Sequence, residues 1–361
     1  MASLWPRPLA LKSPLGPESS PCWLELKSGI PGQGCYLLEH RGANKTIDEL
    51  TGLPRTIVAV GGKSKRQFLS GSNHEAIAFR RISPSTIVID CELHNKRIIS
   101  KMKATPPVES CRQHRVLLPH TCLPVKIRQF AWSLYWQALI PFTSIILLFV
   151  EDLGGFDAVA DVLTVWARQS VTTPAQSPPR VILLHREPAD IKWFEGQLRA
   201  RLKASLLKTD PFDQTIDFQA TLLYQAAFES IRLLPYSAKR EVAIQTDQMF
   251  TIRTNAGYSF NSEHLKYLLQ ESVSQFCNGG AFNFHRATRL GNRIPADLED
   301  HIVNFVTASR KADLDVVTLV ASALDMEAHP PGMHCTSLPS LLNQHCSSAN
   351  YSLRFPPRVY F

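Results

Sequence analysis

The chain has 361 residues, which is enough for two domains of ordinary size or for one large domain with tails. Apolar residues make up 44% of it and charged residues 19%, so the chain can form a hydrophobic core and is not disordered throughout. The formal net charge is +8, and the 25 prolines exclude a long coiled coil or a solenoid.

Residues 1–55 are rich in proline and glycine. We expect an irregular N-terminal segment there, with two short strands over 22–26 and 35–39. Prolines interrupt the apolar residues near the N-terminus, so no secretory signal is expected. Eight cysteines are spread along a long chain rather than concentrated in a small exported domain, and they are predicted to be reduced thiols of a cytoplasmic protein.

Buried strands and amphipathic helices alternate between residues 56 and 240. Five apolar runs predict strands, and they cover 56–60, 86–90, 144–150, 180–184 and 228–234. Apolar side chains at three- and four-residue spacing predict helices over 156–166 and 191–206. Because this alternation is typical of a sheet covered on both faces, we expect an α/β domain over 56–240 with a mostly parallel, doubly wound sheet.

The strand signals end near residue 241, and residues 241–334 are predicted to form a helical extension. Helical periodicity begins at Ser262, a candidate N-cap, and again near Leu298 and Val316. Residues 335–361 are rich in serine and lack periodicity, so we expect a poorly ordered tail there.

Residues 129–150 carry no charge and have two interpretations. The segment is long enough to cross a bilayer, which requires about 20 apolar residues. The alternative, which we favour, divides the segment at Pro141 into an amphipathic helix and a buried strand, since proline costs about 3 kcal/mol inside a helix. Membrane association through 129–150 is therefore the minority interpretation.

Positive charge is concentrated between residues 55 and 128, where 14 lysines and arginines face four acidic residues. This surplus favours an anionic ligand such as a nucleotide phosphate or a lipid headgroup. Nucleic acid is not favoured, because few aromatic residues are interleaved with the basic ones and no nucleic-acid-binding motif is present. A solvated basic face is the alternative.

A partial phosphate-binding motif follows the first strand of the predicted α/β domain. Gly61, Gly62, Lys63 and Ser64 correspond to the end of a phosphate-binding loop, whose lysine contacts phosphate and whose hydroxyl contacts magnesium. Asp90 ends the next predicted strand, where such folds place a magnesium-coordinating aspartate. These five residues are the candidate site for a Mg-nucleotide.

The motif lacks the parts that perform hydrolysis. Ile57 stands where the opening glycine of the loop is expected, and the signatures D-x-x-G and N-K-x-D are absent. The layout resembles a degenerate P-loop GTPase domain, and we expect residual nucleotide binding at most. A divergent nucleoside triphosphatase that uses Lys63, Ser64 and Asp90 is the enzymatic alternative, with Asp152 as an additional metal ligand.

Two further groups are candidate metal ligands. Glu151 and Asp152 end a predicted strand, and they are candidates either for a metal site or, in the case of Asp152, for the cap of the following helix. The second group has loose spacing that is compatible with a zinc site; it comprises Cys111, His114, His120 and Cys122. The motif G-x-S-x-G is absent, so no catalytic residue is predicted.

Several segments, in order, resemble the region that precedes the catalytic domain of fungal patatin-like phospholipases. The matching stretches are 86–93, 109–119, 140–167, 282–289 and 329–334. The resemblance implies a degenerate nucleotide-binding module related to lipid metabolism. In that family a zinc-binding segment and a patatin acyl hydrolase follow, whereas this chain has no match to the hydrolase motifs and is expected to be a truncated relative or an incomplete gene product.

Three functions follow from these patterns. The first is a non-catalytic regulatory or interaction module with a protein partner, for which a patatin-type hydrolase is a candidate. The second is the divergent nucleoside triphosphatase. The third is a membrane-associated accessory protein of lipid acyl hydrolysis, which would use residues 129–150 and the adjacent basic segment to contact anionic headgroups.

Overall fold

The computed structural model describes most of the chain up to residue 283 and two short stretches beyond it. The described residues are 22–28, 35–71, 76–102, 110–116, 124–170, 177–186, 190–207, 215–280, 282–283, 287, 298–311 and 315–318. His120, Cys122, the expected tail and most of the third helix of the expected extension lie outside these residues.

Ten strands and ten helices are formed by the described residues. The strands are β1 (Cys22–Ser28), β2 (Cys35–His40), β3 (Arg55–Val60), β4 (Ile77–Ser83), β5 (Thr86–Cys91), β6 (Ser100–Lys101), β7 (Cys111–Val116), β8 (Ile145–Phe149), β9 (Arg180–His185) and β10 (Ser230–Pro235). The helices are α1 (Asn44–Asp48), α2 (Lys63–Leu69), α3 (Pro124–Leu134), α4 (Val150–Leu153), α5 (Phe156–Gln169), α6 (Ile191–Leu207), α7 (Ile216–Ala227), α8 (Lys239–Asn255), α9 (Ser262–Cys277) and α10 (Leu298–Lys311).

All ten strands belong to one sheet, in the order β10-β9-β8-β3-β5-β4-β1-β2-β7, with β6 beside β1. The five strands from β10 to β5 are parallel to one another. Antiparallel pairs continue the sheet from β5 through β4, β1 and β2 to β7. The predicted α/β class is confirmed, but the sheet is mixed, because β4 and the N-terminal hairpin extend the parallel half with antiparallel strands.

The parallel half has the buried character that its sequence predicts. Every residue of β8 and β9 is buried, as expected for strands in the interior of a sheet. Helix α8 packs on one face of these strands, where Val242 and Met249 join a cluster that includes Phe149. Aromatic side chains form a second cluster, in which Trp136 stacks on Trp166 with ring centroids 5.9 Å apart.

The uncharged segment 129–150 divides at Pro141, as the favoured interpretation predicts. Helix α3 continues into a π-helical segment over Tyr135–Leu139 and a 3-10 turn over Ile140–Phe142, and strand β8 follows. Within the described part of the chain, no helix is both long and apolar enough to span a membrane.

The described residues divide into two compact units. One comprises those up to residue 253 and from 260 to 282, and the second comprises 254–259 and those from 283 onwards. Strands β1 and β2 pair within the main sheet, and α8 contributes to its core, so neither belongs to a separate segment. Helix α9 is confirmed, although its N-cap is Asn261, whose Oδ1 accepts a hydrogen bond from the His264 N–H, rather than Ser262.

Candidate functional site

The loop between β3 and α2 lies at the carboxyl ends of the parallel strands, at the point where the order of the strands reverses. Taken in chain order, the parallel strands β3, β5, β8, β9 and β10 are arranged in space as 2-1-3-4-5. The chain therefore moves from β3 to one side and later to β8 on the other side. Ligands of open α/β sheets bind in the crevice at such a point, outside the carboxyl ends of the strands. Gly61–Ser64 and Asp152 lie at this crevice, immediately after β3 and β8.

The carboxylate of Asp152 binds the backbone N–H groups of the loop between β3 and α2. Its Oδ2 accepts hydrogen bonds from the backbone N–H groups of Gly62, at 2.7 Å, and of Lys65, at 2.9 Å. Its Oδ1 accepts a third from the N–H of Ser64, at 2.9 Å. These donors belong to the unsatisfied N-terminal turn of α2, and a phosphate-binding loop would direct such groups to phosphate. In this protein they are bound by the chain itself.

The carboxylate in the loop is negatively charged at neutral pH. Burial raises the pKa of Asp152, but the N–H groups of Ser64, Lys65 and Gly62 outweigh this effect and hold the pKa below its ordinary value. A phosphate group that approached these donors would meet a negative charge already in place. The local electrostatics therefore oppose binding of a second anion.

Gly61 is explained by this close approach, whereas a Cβ atom on Gly62 would meet its nearest neighbour, Asn95 Nδ2, only at 3.4 Å. A Cβ atom on Gly61 would lie 2.9 Å from Asp152 Oδ2 and 2.9 Å from Phe149 Cβ, which leaves no room for a side chain. The carbonyl oxygen of Gly61 also accepts a hydrogen bond of 3.0 Å from Asn95 Nδ2. Glycine is therefore required at position 61 for packing against the loop after β8, independently of any phosphate.

The buried lysine of the motif is Lys65 and not Lys63. Lys63 is exposed, whereas the Lys65 side chain is 0% exposed. The Lys65 ammonium group donates hydrogen bonds to Asp90 Oδ1 and to the carbonyl oxygen of Cys91, and it lies 3.1 Å from Glu92 Oε1. An ammonium group has three protons to donate, and three acceptors surround this one.

Asp90 is bound by two cations rather than open to a metal ion. Its Oδ1 accepts from Lys65, and its Oδ2 accepts from Arg80 Nε at 2.7 Å. The neighbouring Glu92 pairs in the same way with Arg66 Nη1, at 2.6 Å. Burial raises the pKa of Glu92, although the positive charge of Lys65 opposes this effect. The expected magnesium ligand is therefore part of a buried ion-pair network.

Glu151 and Asp152 face different partners. Glu151 accepts hydrogen bonds from the backbone N–H of Arg186, at 2.7 Å, and from the Tyr236 hydroxyl group. Burial, followed by the hydrogen bond to Glu151, raises the pKa of Tyr236. Asp152 does cap a helix, but it caps α2; the N-cap of the helix that follows it, α5, is Gly155.

The two expected zinc ligands that lie among the described residues, Cys111 and His114, do not converge. Cys111 and His114 lie three residues apart on β7, and side chains with odd spacing on a strand point to opposite faces. Cys111 Sγ lies 3.1 Å from His40 Nδ1, whereas His114 Nε2 lies 2.9 Å from Glu39 Oε2. Among the described residues, no group of three or more histidine, cysteine, aspartate or glutamate side chains is arranged to hold a metal ion.

Five of the 14 basic residues between residues 55 and 128 form ion pairs within the described part of the chain. Lys65, Arg66 and Arg80 pair with Asp90 and Glu92 as described above. Two more basic residues of this stretch pair with acidic residues outside it; they are Arg55, with Asp247, and Arg81, with Glu49. Asp90 and Glu92 are already counted against the surplus, so only the pairs of Arg55 and Arg81 lower the positive charge below the surplus in the sequence.

Sequence reasoning missed the residues that complete these contacts, among them His40, Asn95 and Tyr236. Their partners lie 34 to 85 positions away along the chain. No local pattern marks such pairs, so only the strand order brings them together.

No family model matches the chain, and no curated protein matches it in sequence.

Proposed function

We propose that this protein is a non-catalytic regulatory or interaction module, built on a degenerate, doubly wound P-loop-like domain whose nucleotide site is closed by its own side chains. The observation that carries the proposal is the position of Asp152. Its carboxylate accepts hydrogen bonds from three backbone N–H groups of the loop, including those of Gly62 and Ser64.

The arrangement of the loop argues against nucleotide turnover. A phosphate loop works because its N–H groups are free and its lysine reaches the β- and γ-phosphates. Here the N–H groups are bound to Asp152, and the buried Lys65 is held by Asp90 and the Cys91 carbonyl group. Nucleotide binding would have to displace an ionised carboxylate, and magnesium would have to displace Arg80 from Asp90.

Two observations support the assignment of a P-loop-like domain within this proposal. The parallel strands have the spatial order 2-1-3-4-5, which is one of the two common orders of doubly wound folds. The segment Gly61–Ser64 connects the first of these strands to a helix, which is the context of a phosphate loop.

The partner in this proposal is another protein, and the candidate is a patatin-type acyl hydrolase. The ordered resemblance to the region that precedes the catalytic domain of fungal patatin-like phospholipases supports this choice. A module of this kind would act by association, because its sequence contains no G-x-S-x-G nucleophile motif.

Nucleotide-dependent thermal stabilisation tests the proposal. A ligand at 100 times its Kd stabilises a protein by about 2.7 kcal/mol, so binding would be detected as an increase in the Tm. Because the site is closed, we expect no change in the Tm of the full chain with Mg-GTP or Mg-ATP at millimolar concentration. Asp152→Ala removes the internal anion, and Asp300→Ala removes an exposed carboxylate on α10 as a control. A nucleotide-dependent increase in the Tm of the unmodified protein would contradict the closed site.

Phosphate release from GTP and ATP provides the second measurement. We expect no release above that of the buffer for the unmodified chain. Turnover that is abolished by Lys63→Ala would instead establish the divergent nucleoside triphosphatase, because Lys63 is the lysine that the motif assigns to the phosphates.

A further inference from the structure

A thiol, an imidazole and a carboxylate lie in line on one face of the antiparallel half of the sheet. In the register of the strands, Glu25 of β1 is opposite Leu38 of β2, and His40 of β2 is opposite Cys111 of β7. Residues opposite each other share a face, and so do residues two apart on one strand. Glu25, His40 and Cys111 therefore project from the same side of three neighbouring strands.

His40 lies between the other two groups. Its Nδ1 is 3.1 Å from Cys111 Sγ, and its Nε2 is 3.8 Å from Glu25 Oε2. With one ring nitrogen facing each neighbour, the set is linear rather than convergent, and it suits proton transfer rather than metal binding. A neutral imidazole with its proton on Nε2, towards the carboxylate, presents the Nδ1 lone pair to the thiol.

Glu25 is charged and can stabilise a protonated His40. The contact with His40, opposed by burial and assisted by Lys27 at 2.6 Å, lowers the pKa of Glu25 to about 2. A nucleophile next to a base that is oriented by a third group is the general arrangement of activated thiols and hydroxyls. The three residues have these roles in the order Cys111, His40, Glu25.

A second thiol, on β1, provides an internal contrast. Burial and the charge of Glu25 raise the pKa of Cys22 to about 12. Cys22 therefore stays protonated at neutral pH, although it lies three residues from the carboxylate that supports His40. The strands that carry Cys22 and Cys111, β1 and β7, both pair with β2. The two cysteines differ in that the imidazole of His40 is placed to accept the proton of the Cys111 thiol.

Cys111 is buried, whereas the two side chains in line with it are partly exposed. Cys111 is 6% exposed, and the side chains of His40 and Glu25 are 32% and 26% exposed. Because the sulfur itself is buried, a reagent that modifies it has to be small. The class of reagent that suits a thiolate in this setting is a small disulfide.

We propose that Cys111 is a modification site that forms a mixed disulfide with small-molecule disulfides, with His40 as its general base. His40 Nδ1 takes the thiol proton, the Cys111 sulfur attacks one sulfur of the disulfide, and a new S–S bond forms as the old one breaks. The departing thiolate takes the proton from the imidazolium. One disulfide and one protein thiol give one mixed disulfide and one free small thiol, so the disulfide is the oxidant and the electrons balance.

The reaction of the reduced full chain with the aromatic disulfide DTNB, at about pH 7, tests this proposal. We expect Cys111 to be modified at least tenfold faster than Cys22, as measured by release of the coloured thiolate and by peptide mass mapping. Cys111→Ser should remove the fast phase. Unfolding in guanidinium chloride should make the two cysteines react at similar rates, because the contact with His40 is then lost.

Variants of the base separate proton transfer from simple access to the sulfur. His40→Ala should slow modification of Cys111 at least tenfold, and added imidazole should restore part of the rate, which a purely structural role of His40 would not allow. Glu25→Gln should slow it severalfold, and His264→Gln, on α9, should leave it unchanged. Oxidised glutathione should attach to Cys111 before the other cysteines of the described residues, which are Cys22, Cys35, Cys91 and Cys277.

Two results would overturn the proposal. One is a folded chain in which Cys111 reacts no faster than Cys22. The other is a folded His40→Ala variant that keeps the rate of the unmodified protein. Because the first result requires no substitution, the proposal stays testable even if a variant fails to fold, and neither result bears on nucleotide binding at the loop after β3.

Discussion

The backbone N–H of Lys65 donates a hydrogen bond of 2.9 Å to Asp152, which lies 87 positions further along the chain. The side chain of the same lysine is buried against Asp90, at the end of the next parallel strand. Lys65 thus connects the carboxyl ends of three neighbouring strands, β5, β3 and β8. The connection is structural, and it uses the groups that a phosphate loop would leave free.

Replacement of Asp152 should destabilise the protein. Asp152→Ala leaves three N–H groups at the start of α2 without their acceptor, and we expect the free energy of unfolding to fall by about 2 kcal/mol, near the upper end of measured capping effects. Urea unfolding measures this change. The control Asp300→Ala should alter stability by less than about 0.5 kcal/mol, and equal effects of the two substitutions would contradict the capping role.

The contribution of Asp152 should depend on pH in a defined direction. Because its pKa in the folded protein is lowered from 3.8, its stabilising effect is complete above pH 3.8 and is lost as the pH falls through the folded-state pKa. The difference in unfolding free energy between the unmodified protein and Asp152→Asn should therefore shrink as the pH decreases below 3.8. A difference that grows in acid would show that the carboxylate is not stabilised in its charged form.

The two lysines of the motif should differ sharply on substitution. Lys65→Met removes a buried cation and leaves Asp90 and Glu92 without it, so we expect a loss of about 3 kcal/mol or more. Lys63→Met changes an exposed side chain and should cost less than about 0.5 kcal/mol. Chemical denaturation measures the free energy of unfolding of both variants. Similar losses would mean that Lys63 also has a structural partner.

Alanine substitutions at two glycines should have opposite signs. Gly61→Ala places a Cβ atom 2.9 Å from Asp152 Oδ2 and Phe149 Cβ, and such overpacking costs about 1 to 3 kcal/mol. Gly196 lies within helix α6 with nothing within 4 Å of its Cβ position, so Gly196→Ala should stabilise by about 0.5 to 1 kcal/mol. Thermal unfolding monitored by circular dichroism distinguishes the two, and a neutral Gly61→Ala would contradict the tight approach.

The elements with strong local patterns were predictable from the sequence. Apolar runs located β3, β5, β8, β9 and β10, and apolar periodicity located α5, α6 and α9 within a few residues of their observed bounds. Helix α8 falls mostly within the expected helical extension, but no separate helix was predicted there, because two of its four buried residues, Thr246 and Arg253, are polar. Arg253 is buried since its guanidinium group donates to the carbonyl oxygens of Pro141, Thr143 and Ser177.

The candidate site was predicted in part. The sequence placed Gly61–Ser64 correctly between a strand and a helix, because an apolar run followed by paired glycines is a local signal. It assigned Lys63 to phosphate and did not single out Lys65, the lysine that the fold buries. It also proposed ligands for metals that the contacts of Asp90, Cys111 and His114 do not favour. Charge patterning likewise could not reveal which basic residues are paired inside the fold.

The sequence by itself determined which segments become buried strands and amphipathic helices, because hydrophobic periodicity acts over a few neighbouring residues. Only the tertiary structure decided what the polar groups do. Asp152 reaches the loop at Gly62, and His40 reaches Cys111, through strand neighbours that are 90 and 71 positions apart in the chain. Strand order and register bring these groups into contact. Both follow from the packing of the whole sheet rather than from any local motif.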